Sequence, residues 1–181
     1  MASPSIQNFD ISFIERTLKN LEEYKGEYDF TLLLNSLLGL LILPNEFNIK
    51  GVREYNFNFL EEKITKYTDL KDIFFIKDIT LINEDNKEYI QKKFYWSNNN
   101  KNKLNPEDIK LADLINRIRN GVAHFGIIPT KDGDKWKGII IRNYPEKKSG
   151  YFNMEIYFEE KELKTFAEFI AKKYLKTIKV E

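Results

Sequence analysis

The chain has 181 residues, 42% hydrophobic and 31% charged, which suits one globular domain with a core and excludes a disordered chain. Its 29 basic and 28 acidic residues leave a net charge of +1, so no overall positive field recruits nucleic acid and any such binding must come from a local patch. Zero cysteines exclude disulfides and thiolate metal sites, and a single histidine argues against zinc, so neither a metal nor a cofactor is expected.

Residues 1–5 hold no basic region ahead of an apolar run, so no signal peptide is expected there, and they are expected to be disordered. The absence of cysteine fits a cytoplasmic location. Periodicity predicts a first helix over residues 6–24, with Phe9, Phe13, Ile14, Leu18 and Leu21 on one face and Gly26 as its stop. Arg16 in this helix is either part of a solvated face or a cation lining a site. A second helix is expected over residues 29–43, apolar on nearly every side and stopped by Pro44. It falls short of the ~20 residues that span a bilayer, so no membrane association is expected. It is read as a buried central helix and a candidate dimer interface. Asn35 is a polar group within it; a buried amide must find partners, so Asn35 either bonds neighbouring backbone or serves near the site.

Residues 45–57 read as loop and 58–67 as a helix with Leu60 and Ile64 inward. Residues 69–82 fit helix or strand, 84–96 look helical, and 97–103 form a polar loop. Asn105-Pro106-Glu107-Asp108 is a helix start, with a capping side chain, a proline at the first position and acids at the positive end. From there Ile109, Leu111, Leu114, Ile115 and Ile118 carry a helix into Arg117, Arg119, Asn120 and His124, where Gly121 would kink or loosen it. The chain's one histidine thus lies five residues after a permanent cation. Histidine moves protons near neutral pH and arginine binds phosphate, a pairing suited to RNA cleavage. On an ideal helix, positions five apart point roughly 140° apart, whereas positions four apart share a face. Asn120 and His124 therefore share a stripe, and Arg119 must reach round or meet His124 from a partner subunit. Beyond the motif, 136–142 and 151–158 read as strands around a turn at 143–150, and 159–180 as a final helix with Leu163, Phe166, Phe169, Ile170, Tyr174 and Ile178 inward. Its lysines form a solvated face able to make weak, salt-sensitive contacts with phosphates.

Arg119-Asn120-Gly121-Val122-Ala123-His124 resembles the R-N-x-x-x-H form of the R-x4–6-H motif of HEPN domains, including the polar residue directly after the arginine. The stretch from Phe30 to Pro44 is similar to the early core helix of a small branch of bacterial and plasmid-borne HEPN-like proteins. The resemblance implies a mainly α fold, a HEPN-like helical bundle forming a single domain over 1–181; the two strands read above add an inserted β-hairpin after the motif helix at about residues 136–158, where a plain HEPN bundle would have only a short link. It implies a metal-independent endoribonuclease, of toxin or anti-phage defence type, that cleaves RNA by attack of the 2′-hydroxyl. Arg119, Asn120 and His124 would be catalytic: His124 as acid or base, Arg119 on the phosphate, Asn120 orienting His124 or bonding the phosphate. Arg117, Arg16 and Asn35 are further candidates for RNA binding. The expected partners are RNA, a second copy of the chain in a homodimer with a composite active site, and an antitoxin or regulatory protein. One alternative is a non-catalytic HEPN module that binds nucleotides or a partner. Another is a purely structural or regulatory helical protein in which Arg119 and His124 make core or interface hydrogen bonds. There is no phosphate-binding glycine loop, nucleophile elbow or paired metal-ligand motif.

Overall fold

Apolar residues recurring every three or four positions wind Phe9–Glu23 and Glu160–Val180 into helices. The computed structural model describes residues 9–24, 31–36, 39–41, 57–67, 70, 79–81, 89–91, 94–96, 108–145 and 152–180. It divides into two units: Met1–Phe59 with Glu160–Glu181, and Leu60–Glu159.

In the first unit the two long helices pack together. Ile14 and Leu21 of one, and Leu163, Phe166, Ile170, Tyr174 and Ile178 of the other, are buried. The rings of Phe57 and Phe59 meet Tyr174 edge-on at 4.9 and 5.3 Å between centroids, the offset that opposed ring quadrupoles favour. Residues 31–36 and 39–41 are helical, with Leu33, Leu40 and Leu41 buried. This helical stretch is amphipathic rather than apolar all round: Asn35 is exposed, so the expectation of a buried amide is corrected, and Ser36 is the buried polar residue. Residues 6–8, 25–30 and 42–56 lie outside the described residues.

The second unit is built on strands. β1 (Ile79–Leu81) pairs antiparallel with β2 (Tyr89–Gln91). β3 (Phe94–Trp96), β4 (Ile127–Asp132), β5 (Lys135–Asn143) and β6 (Met154–Glu159) form an antiparallel sheet in the order β3-β6-β5-β4. Phe94 lies opposite Ile156, Ile141 opposite both Ile156 and Ile127, and Arg142 opposite Glu155. β4 is an edge strand, where Pro129, which lacks an N–H, leaves no inner ladder bond unmade. Met154, Ile156 and Phe158 of β6 are fully buried, and Glu155 and Tyr157 of its other face are nearly so. Against β5 packs the helix Leu111–Ala123, whose buried stripe is Leu111, Leu114, Ile115, Ile118 and Gly121.

The expected mainly α bundle with one inserted hairpin at about 136–158 is therefore corrected to a mixed fold in which helices accompany an antiparallel sheet. The segments 135–143 and 154–159 do pair, but as the two inner strands of the sheet. Residues 84–96, expected as helix, supply β2 and β3, because Phe94–Trp96 gain a partner some sixty positions on in β6. The expected helix over 58–67 consists of two short 3-10 turns, Asn58–Glu61 and Ile64–Lys66. Between them the backbone is drawn into long-range bonding: Ile64 N–H donates to Ile109 O, and Leu111 N–H to Glu62 O, each at 2.9 Å. The same bonds set the start of the motif helix at Leu111 rather than Asn105. The first helical N–H is satisfied by Glu62, and extended Lys110 caps without a side-chain bond. Residues 97–107 and 146–151 lie outside the described residues, and with them the two expected loops at 97–103 and within 143–150. Among the described residues, no helix is long and apolar enough to cross a membrane.

Candidate functional site

The helix Leu111–Ala123 brings Arg117, Arg119 and Asn120 to its last turns and ends on His124 as its cap residue. His124 N–H donates to Asn120 O at 3.0 Å, but its φ of −107° and ψ of 21° have already left the helix. The ideal-helix angle between Arg119 and His124 therefore does not apply at its final step. His124 is exposed, while Arg119 and Asn120 are half-buried.

Two further backbone bonds close the end. Phe125 N–H donates to Val122 O at 3.1 Å, and Gly126 N–H donates to Gly121 O at 2.7 Å. This is the Schellman arrangement, in which the residue after the cap takes the left-handed conformation. Here that residue is Phe125, with φ at 57°. A bulky residue in that region costs on the order of 1–3 kcal/mol, which glycine would spare. The residue is 93% exposed.

The turn is locked to the sheet through two glycines. A Cβ on Gly121 would lie 2.6 Å from Arg142 O and 2.9 Å from Ile141 Cγ2, and one on Gly126 would lie 2.1 Å from Arg142 O. Arg142 N–H donates to Gly126 O at 2.7 Å. Gly121 therefore does not kink the helix, which is continuous through Ala123; it lets the helix touch β5 backbone directly.

Arg117 is engaged inside the unit. Its Nη1 donates to Asn153 O at 2.7 Å, and its guanidinium lies 3.6 Å from the centre of the Trp96 ring, a close cation–π contact. On the strand that pins the turn, Arg142 donates from Nε to Glu155 at 2.7 Å and lies over Phe152. Burial works against the Arg142 charge, but the bond and attraction of Glu155, helped by Tyr144, more than offset it and hold the guanidinium above its ordinary range. The amide of Asn143, the next residue of β5, donates to Asn153 Oδ1 at 2.7 Å, and both residues are buried. Arg16 and Asn35 belong to the helical unit, where both are exposed. Among the described residues, no cluster of three or more histidine, aspartate or glutamate side chains could hold a metal.

Sequence reasoning did not single out Phe125 or Arg142. A glycine directly after the cap would have marked the left-handed turn; here the glycine comes one residue later, at Gly126. Arg142 is read from sequence as one more strand residue, because its partner Glu155 is reached only through strand pairing.

Together these features place a proton-transfer group, an amide and a cation within six residues at one helix end. Compared with known protein families, the chain is a HEPN-domain protein over its whole length. The match covers residues 1–181, and the chain belongs to the family HEPN pEK499 p136, a HEPN-domain family from a plasmid. HEPN domains are generally associated with RNA cleavage or with nucleotides. Among the curated proteins and the solved structures, none matches the chain.

Proposed function

We propose that the protein is a metal-independent endoribonuclease, working in the cytoplasm as a toxin or defence effector. The observation that carries this reading is the family motif ending on an exposed histidine, with Arg119 and Asn120 on the turn before it. In the reaction, a ribose 2′-hydroxyl attacks the adjacent phosphorus while a histidine takes its proton. The bond from phosphorus to the 5′-oxygen breaks, and that oxygen gains a proton from a histidine acting as acid. The products are a 2′,3′-cyclic phosphate and a 5′-hydroxyl. Arg119 neutralises the charge that builds on the phosphate oxygens, and Asn120 orients His124 or bonds the same phosphate. Each chain has one histidine. The acid and the base therefore come from two protomers whose motifs face one cleft, and the homodimer is part of the mechanism. Arg117, stacked on Trp96, acts chiefly by positioning the helix, with a secondary contact to RNA backbone. Arg16 and Asn35 remain candidates for the same backbone contact. A near-neutral net charge supports a selective enzyme, restrained by an antitoxin or released by a regulatory partner, over an indiscriminate RNA binder.

The test compares wild type with His124→Ala on mixed RNA in EDTA, with folding and molecular mass measured for both. The expected outcome is cleavage by wild type to cyclic-phosphate ends, and a loss of about 100-fold or more in the variant at unchanged fold and mass. Equal cutting by both would remove His124 from the chemistry. Cutting by neither, with RNA or nucleotide binding retained, would favour a non-catalytic HEPN binding module.

A further inference from the structure

We propose that Phe125 is a stacking platform for one base of the RNA, seated beside the phosphate that Arg119 and His124 handle; this rests on the ribonuclease reading. The turn after His124 demands only a residue that tolerates a left-handed backbone, which glycine does without strain. Phe125 meets that demand at φ 57°, and it adds nothing to the core, the residue being 93% exposed. The backbone that carries the ring is nevertheless fixed. Phe125 N–H is bonded to Val122 O, Gly126 N–H to Gly121 O, and Gly126 O accepts from Arg142 of β5. With the backbone fixed in this way, only the two side-chain torsions of Phe125 are ordered when a flat partner settles on its ring.

Chemistry selects a base as that partner. Every base has a π face, so stacking tolerates sequence and adds affinity that does not depend on charge. A chain of net charge +1 gains little from the electrostatic attraction that gives most RNA binders their grip. Within the cleft that the two motifs face, the ring meets RNA rather than closing the subunit contact, since a stable interface buries about 800 Å² per partner and one aromatic ring supplies about 200 Å².

The experiment measures binding of two labelled oligomers of equal length that cannot undergo 2′-hydroxyl attack. One is 2′-O-methyl RNA; the other is a chain of abasic sugar phosphates without 2′-hydroxyls. Phe125→Gly is expected to weaken the base-bearing oligomer about 10-fold and leave the abasic one unchanged. Its melting temperature should not fall, because glycine suits the turn. Phe125→Trp is expected to keep wild-type affinity, with new indole emission that the base-bearing oligomer quenches. Equal binding of the base-bearing oligomer by wild type and Phe125→Gly overturns the proposal, as does equal weakening of both oligomers. A drop in molecular mass that accompanies the loss also overturns it, and assigns the ring to contact with a second copy. If Phe125→Gly is neutral while His124→Ala still abolishes cleavage, the stacking role alone falls. If wild type neither binds nor cuts RNA, the ribonuclease reading falls and takes the stacking role with it.

Discussion

Two buried tyrosines show how the same shift can hide opposite energetics. Burial pushes the ionisation of both Tyr67 and Tyr174 above the ordinary range for a phenol, and at Tyr67 the nearby Glu62 adds to it. Tyr67 donates its hydroxyl to Glu62, whereas the Tyr174 hydroxyl is buried with no partner among the described residues. A buried donor without a partner loses its bond to water and gains nothing in return. Tyr174→Phe keeps the ring between Phe57 and Phe59 and is expected to stabilise the fold by about 1 kcal/mol in urea unfolding. Tyr67→Phe removes one donor from Glu62, which keeps Lys66 as a partner, and is expected to cost about 1 kcal/mol. Both groups have raised folded-state values, so the folded chain holds these protons longer than the unfolded one, and stability is level below the unfolded phenol value near 10 and falls as pH climbs from there toward the folded one. Each substitution should therefore flatten the fall in stability above about pH 10. A Tyr174→Phe protein less stable than wild type would mean that the hydroxyl has a partner in solution.

At the scale of elements, the contact that positions the motif is between one helix and one strand, and it passes through backbone. Gly121→Ala would gain about 1 kcal/mol of helix propensity, yet its Cβ would meet Arg142 O at 2.6 Å. β5 cannot easily yield, because β4 holds it on one side and β6 on the other. The overlap is expected to win, with a net loss of roughly 2 kcal/mol or more for Gly121→Ala and a larger one for Gly126→Ala. The control is Ala123→Gly at an exposed position, which loses only propensity, about 1 kcal/mol. Should Gly121→Ala prove as stable as wild type, the helix does not touch β5 in solution. This contact also marks how far the sequence could be read. The helices at Phe9–Glu23, Leu111–Ala123 and Glu160–Val180 announce themselves through local periodicity, and the motif residues stand at fixed spacing along one of them. β3 does not announce itself: Phe94-Tyr95-Trp96 is three aromatic residues that fit any buried element until Met154–Ile156 come alongside. β4 contains Pro129, Lys131 and Asp132, so it lacks the alternation of a half-buried strand. What was legible was short-range. The sheet beyond its central pair β5 and β6, which the alternation around the turn did announce, the role of Gly121 and the Arg117–Trp96 stack all depend on partners distant in sequence.

For the whole molecule, the decisive property is that one chain carries one histidine. Transfer of a proton from the 2′-hydroxyl and to the 5′-oxygen in one passage needs a base and an acid at the same phosphate. If both are His124, from two copies facing each other, a mixed dimer of wild type with His124→Ala contains no complete site. Wild type and variant, co-incubated until their subunits exchange, should then show activity that follows the square of the wild-type fraction. An equal mixture would retain about a quarter of the wild-type rate at the same total concentration, because random pairing leaves that share of dimers intact. A self-sufficient chain would retain about half under the same conditions, since each wild-type copy works whatever its neighbour. Molecular mass must match in all samples, so that the comparison reads site composition rather than dissociation. Dilution gives the second arm: rate per chain should fall as concentration passes below the dimer dissociation constant, and excess His124→Ala should suppress it further rather than restore it. A linear response to wild-type fraction, at constant mass, would confine the chemistry to a single protomer and require a second proton-transfer group within the same chain.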